Sequence, residues 1–147
     1  MFLSSLRTLA IDWGEKRIGL AMSDEGGRFA TALEVIDAAS AVDTIRSLIK
    51  KEDVARVLIG LPIDMDGSIG PSAQRVITWG RSLTTTPLIF VDERLSSFDA
   101  EQQLIERKRS GERMTRKQKK SKLDAVVAAQ LLQAFLDDRL PSLDIPT

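Results

Sequence analysis

Hydrophobic positions in this chain fall into short runs whose period changes along the sequence. Leu9–Asp12, Ile18–Ser23 and about Phe29–Ile36 read as three strands. The turns between them carry Gly14 and Gly26-Gly27, so hairpins are expected and the three strands should run antiparallel. From Ser40 to Lys51 the period lengthens: Val42, Ile45, Leu48 and Ile49 recur at three- and four-residue spacing, which predicts a helix. Val54 to Gly60 is a short buried strand. Leu61 to Gly70 is a loop punctuated by Pro62, Gly67 and Gly70, and Pro71 suits the first position of a helix reaching about Leu83. Leu88–Asp92 is a further strand, followed by a helix from Ser96 or Ser97 to about Arg107. A last helix is expected from near Ser121 to Asp138, and Pro141 and Pro146 mark an irregular tail.

The order βββαβαβαα defines an α/β fold. Strand and helix alternate in the second half, which implies parallel strands with right-handed crossovers, whereas the first half is antiparallel. The sheet is therefore mixed, with helices covering its faces. At 147 residues the chain fits one domain, 1–147, with a core at about 8–138 and an irregular tail at 139–147.

Composition narrows the chemistry. There is no apolar run near the ~18 residues of a membrane span and no secretory signal at Met1–Leu6, so a cytoplasmic protein is expected. Cysteine is absent, which excludes disulfides and zinc–thiolate sites; histidine is absent too, which excludes Ser-His-Asp, Cys-His and His-ligated metal chemistry. Carboxylates are left as the main catalytic groups. Net charge is zero, from 21 basic and 21 acidic side chains, yet residues 107–122 hold nine Lys/Arg against the single acid Glu112. A cationic block on an otherwise acidic chain points to a polyanionic partner, or else to a solvated basic loop.

Three acids occupy positions that a sheet-based fold could aim at one site. Asp12 ends the run Thr8–Ile11, Glu93 follows Leu88–Asp92, and Asp124 lies on the same helix face as Val127, Ala128, Leu131 and Phe135. Oxygen ligands from two strand ends and a helix suit a magnesium- or manganese-dependent phosphoryl-transfer site. Each acid also has a plainer reading. Asp12-Trp13-Gly14 is a turn signal, and Ser121-x-x-Asp124 is a capping-box pattern. Asp92-Glu93-Arg94 could be a strand–helix junction capped by Ser96, though that leaves three consecutive charges at a strand's C-terminal end unexplained. In the functional reading Gly14 and Gly19 let a phosphate approach the backbone, and Lys16 and Arg17 neutralise it. Trp79 belongs to an apolar helical pattern; Trp13 either packs or stacks on a base. Asp64-x-Asp66-x-Ser68 lacks the remaining ligands of a calcium loop.

The segments LAIDWGEKRIGLAMSD, VLIGLPIDMDGSIGPSAQ, FVDERLSSFDAE and KSKLDAVVAAQLLQAFLD together resemble the bacterial YqgF family over about residues 8–138. Its members are described as Holliday-junction resolvases and as nucleases maturing the 5′ end of pre-16S ribosomal RNA. The resemblance implies a ribonuclease H-like fold: a five-stranded mixed sheet, first three strands antiparallel, with helices around it. It also implies that Asp12, Glu93 and Asp124 are the acidic site. Ser96-Ser97 stand where the family commonly has Thr-Thr, and Trp13 fills a variable position; neither removes a carboxylate.

The expectation is thus an endonuclease using two magnesium or manganese ions, bridged by Asp12 with Glu93 and Asp124 completing their shells. Lys16, Arg17 and Arg94 would hold the scissile strand; Arg116, Lys117, Lys119 and Lys120 would hold its flanks. The expected substrate is single-stranded precursor RNA and the expected state a monomer or weak homodimer. A branched-DNA resolvase, which needs a symmetric dimer, is the alternative. An actin-like ATPase, suggested by the opening hairpin, and a non-catalytic ribosome-assembly module also remain.

Overall fold

The computed structural model describes residues 5–95 and 116–146. Its strands are β1 (Thr8–Asp12), β2 (Arg17–Ser23), β3 (Ala30–Asp37), β4 (Arg56–Leu61) and β5 (Leu88–Asp92). Its helices are α1 (Ala41–Lys51), α2 (Pro71–Leu83) and α3 (Arg116–Leu136). Single 3-10 turns at Ala38–Ser40 and Glu93–Leu95 precede α1 and follow β5. The helix expected from Ser96 or Ser97 to Arg107, and residues 107–115 of the basic block, lie outside the described residues. One boundary is corrected: the last helix includes Arg116, five residues before the expected start at Ser121.

The sheet order is β3-β2-β1-β4-β5. β1 pairs antiparallel with β2, and β2 with β3; β1 pairs parallel with β4, and β4 with β5. The expected mixed sheet is therefore present, with β1 at its centre. The two tight hairpins explain the antiparallel half. The parallel half needs α1 and α2 as crossovers, because a parallel strand cannot be reached by a short turn.

Alternation along the strands splits the interior into two layers. Leu9 and Ile11 of β1, Ile18, Leu20 and Met22 of β2, and Val57, Ile59 and Leu61 of β4 face α1 and α2. There they meet Ala41 and Ile45 of α1 and Ala73, Val76, Ile77 and Leu83 of α2. Each such aliphatic side chain contributes about 1.5–3 kcal/mol by leaving water. The opposite parity, Ala10, Ala21, Leu58 and Val91, packs on Val127, Ala128, Leu131 and Leu132 of α3. The tail is irregular, as expected, but seated: the Leu143 amide donates to the Phe90 carbonyl at 2.7 Å, and Leu140 is buried under α3.

Candidate active site

Asp12 closes β1 with the parity of Ala10, so it lies on the α3 side of the sheet. Its partner across the ladder is Gly19 of β2. A Cβ on Gly19 would run into the main-chain carbonyl of Asp124 in α3. The glycine therefore lets the helix backbone touch the sheet beside Asp12, and that close approach brings Asp124 to the site. The space at Gly19 is filled by the helix, so it does not serve as a phosphate approach. Gly14, whose Cβ would meet the Arg17 carbonyl, is likewise used inside the hairpin turn.

The helix boundary decides between the readings of Asp124. Ser121 lies inside α3, so Ser121-x-x-Asp124 does not start a helix and the capping box is ruled out. Asp124 is half-buried and followed by buried Ala125, Val126, Val127 and Ala128.

Glu93 reaches the same side by a second glycine. A Cβ on Gly60 of β4 would stand 2.7 Å from Leu131 Cδ1 and 3.2 Å from Glu93 Cβ. The side chain of Glu93, just beyond β5, thus folds over the bare backbone of Gly60 toward α3. The two strand glycines, absent from any charge-based reading, are what make the acids neighbours; glycine within a buried strand is the signal that marks such a close approach.

The electrostatics couple Asp12 to the other two acids. Burial, then the charges of Glu93 and Asp124, push the Asp12 carboxyl from the ordinary 3.8 up to about 8. Burial, then Asp92, push Glu93 from 4.5 to about 7. Asp12 is the member that feels both of the others. Among the described residues no three acidic side chains are grouped to hold a single ion as they stand. A pair of ions sharing Asp12 asks for less convergence, because each ion needs only part of the set. The donors are all carboxylate oxygens, and their surplus negative charge is costly in a partly dry site, so a hard divalent cation fits them. When bound, such ions polarise the phosphate and activate a water.

A cavity of about 630 Å³ opens in front of Asp12 and Asp124, lined also by Trp13, Gly14, Glu15, Lys16, Arg17 and Asp37. Lys16 and Arg17 thus border the acids. Arg94 is engaged elsewhere: its guanidinium grips Asp92 at 2.7–3.1 Å and donates to the Asp64 carbonyl at 3.0 Å. That pair holds Asp92 below the usual carboxylate range and ties the Leu61–Gly70 loop to the end of β5. The loop's own acids form a turn, with the Ser68 hydroxyl donating to Asp66 at 2.6 Å and the Gly67 amide to the Asp64 carbonyl at 2.8 Å. This accounts for the Asp64-x-Asp66-x-Ser68 pattern. Arg116, Lys117, Lys119 and Lys120 fall in the described N-terminal turns of α3, the helix that carries Asp124. Asp37, Glu15 and Arg75 were not singled out from the sequence. Asp37 enters because it pairs with Arg17 across β2 and β3, and Arg75 because it bonds Glu15 at 2.7 Å.

A five-stranded mixed sheet of this order, packed against helices, defines the ribonuclease H-like fold class. Thermus thermophilus RuvC in complex with a Holliday junction substrate has the same fold, with a TM-score of 0.55 over 93% of this chain and 99% of that one at 12% identity. A second Thermus thermophilus RuvC structure gives 0.54. The profile of the RuvX family, described as Holliday junction resolvase, matches residues 6–138, and the chain belongs to that family. A protein of Mesorhizobium japonicum is 45% identical, covering 97% of this chain and 87% of its own. One from Caldanaerobacter subterraneus is 37% identical, covering 91% and 98%. Both carry the name "putative pre-16S rRNA nuclease".

Proposed function

We propose that this chain, acting as one nuclease domain, is a metal-dependent endonuclease that hydrolyses phosphodiester bonds at the 5′ end of precursor 16S ribosomal RNA. The observation that carries the reading is the half-buried Asp12 carboxyl, which shares with Asp124 a cavity bordered by Lys16 and Arg17 and is raised to about 8 by burial and by the charges of Glu93 and Asp124. Asp12 would bridge two magnesium or manganese ions, and Glu93 and Asp124 would complete their shells. Lys16 and Arg17 would hold the scissile phosphate, and the cations at Arg116, Lys117, Lys119 and Lys120 would hold the strand beside it. Cations at the N-terminal end of a helix oppose its dipole, so helix stability does not call for them there. Arg94 would set the loop and Asp92 in place. Among the described residues no helix is long and apolar enough to cross a membrane, and the reading places the protein in the cytoplasm with the ribosomal precursor.

The relatives' shared name supports RNA as the substrate. A second reading, a resolvase cutting branched DNA, is favoured by the family's description and would need a symmetric dimer. The test sets a 5′-extended small-subunit RNA fragment beside a four-way DNA junction, with and without magnesium or manganese. Trimming of the RNA, lost in Asp12→Asn by more than the ~10–100-fold typical of an outer-shell change, is expected. Paired nicking of the junction by a dimer, with the RNA untouched, would establish the resolvase instead.

A further inference from the structure

The acidic cavity has a neighbour. On the other side of Trp13 lies an open groove of about 450 Å³, lined by Trp13, Gln74, Arg75, Thr78, Trp79 and Ser82. Trp13 follows Asp12 directly and lines both spaces. We propose that this groove is a stacking subsite for one unpaired nucleobase of the strand whose phosphate occupies the acidic cavity; the assignment rests on the nuclease reading.

The chain has only two tryptophans and no tyrosine, and both indoles stand here, centroids 6.4 Å apart and tilted by 55°. Core packing accounts for their inner edges, which touch the aliphatic layer under α2. It does not account for the rest, because both rings are only half-buried and their remaining surface faces an open groove. Arg75 lies 5.6 Å from the centre of the Trp13 ring and bonds Glu15 of the hairpin at 2.7 Å. It thereby braces the indole against the loop that borders the acids. Exposed Gln74, Thr78 and Ser82 recur at four-residue spacing along the same row of α2, offering polar groups to the edge of a base. The volume is that of a small-ligand site, roughly 300–1,000 Å³. An aromatic surface beside a phosphate site is how single strands are held irrespective of sequence. Bases inside a duplex are already stacked, so the groove would select an unpaired one.

The test separates stacking from packing and from catalysis. In an Asp12→Asn background, Trp79→Phe leaves Trp13 as the sole tryptophan. A six-nucleotide oligoribonucleotide should quench its fluorescence saturably, and the same oligonucleotide made wholly of abasic residues should not. Trp13→Leu keeps an apolar side chain on the core but cannot stack. It should weaken binding about 5- to 150-fold, Trp13→Phe should restore most of the loss, and the salt dependence should stay unchanged in both. Equal quenching by the abasic strand, or wild-type affinity in Trp13→Leu, would overturn the subsite. Because binding is read without turnover, base-dependent quenching beside a wild-type protein that cuts no RNA would keep the subsite and lose the RNA-nuclease reading. A protein that cuts RNA with unchanged kcat and KM in Trp13→Leu keeps the nuclease and loses the subsite.

Discussion

The two faces of the central sheet are built from the same strands and do different work. Toward α1 and α2 the strands present Leu9, Ile11, Ile18, Leu20, Ile59 and Leu61, all fully buried. Toward α3 they present mostly small residues, Ala10, Gly19, Ala21 and Gly60, with Asp12, Leu58 and Val91 between them. Large side chains hold the first pair of helices off the sheet and supply most of the apolar burial. Small ones let α3 settle onto the strand backbone, so that a helix carboxylate and two carboxylates at strand ends become neighbours. Cohesion is concentrated in one layer, and the second layer gives up part of it to place mutually repelling acids.

Perturbing each layer should therefore give different signatures. Ile45→Ala, on the thick side, should cost about 2–5 kcal/mol of stability while the folded fraction keeps its specific activity. The checks are a denaturant melt and a cleavage assay on the same sample. Gly19→Ala, on the thin side, should cost about 1–3 kcal/mol by overpacking against the Asp124 backbone, and should also impair cleavage in protein that is still folded. Equal activity per folded molecule in both variants would erase the distinction between the layers.

The same contrast can be read through pH. Asp12 is 3.8 in an unfolded chain and about 8 when folded, and Glu93 is 4.5 and about 7. Between those values the folded protein holds protons that the unfolded chain has released, so stability is greatest below about 4 on this account and falls as pH rises toward 8. The slope is at most about 1.4 kcal/mol per pH unit for each group. In chelator-treated protein the melting temperature should fall from pH 5 to pH 8, Asp12→Asn should flatten the decline, and added magnesium should oppose it. A decline unchanged in Asp12→Asn would remove Asp12 as its cause.

The smallest effect falls at the far end of α3. Replacing Arg116, Lys117, Lys119 and Lys120 with Ser should lower the slope of log affinity against log salt by up to about 3 units on single-stranded RNA, if all four meet phosphate. Stability should change little. An unchanged slope would separate this end of the helix from the substrate.

Much of this molecule was legible in one dimension. Period and turn residues located every strand and α-helix within the described residues, though not the 3-10 turns at Ala38–Ser40 and Glu93–Leu95, because alternation and three-to-four spacing are local consequences of backbone geometry. Pro71 marked its helix start, and the two glycine turns marked the antiparallel half. The YqgF resemblance supplied the three acids. The start of α3 was not legible: the cations from Arg116 onward carry no apolar period, and the Ser121-x-x-Asp124 pattern mimicked a start that the helix does not use. Only the tertiary structure decided which face each acid would share. Asp12 and Gly19 are partners across a ladder, Glu93 lies over Gly60, and Asp124 touches the sheet because Gly19 leaves room. Such contacts reach from within one hairpin to more than a hundred positions along the chain, and no local pattern in a chain encodes the space that a missing side chain leaves.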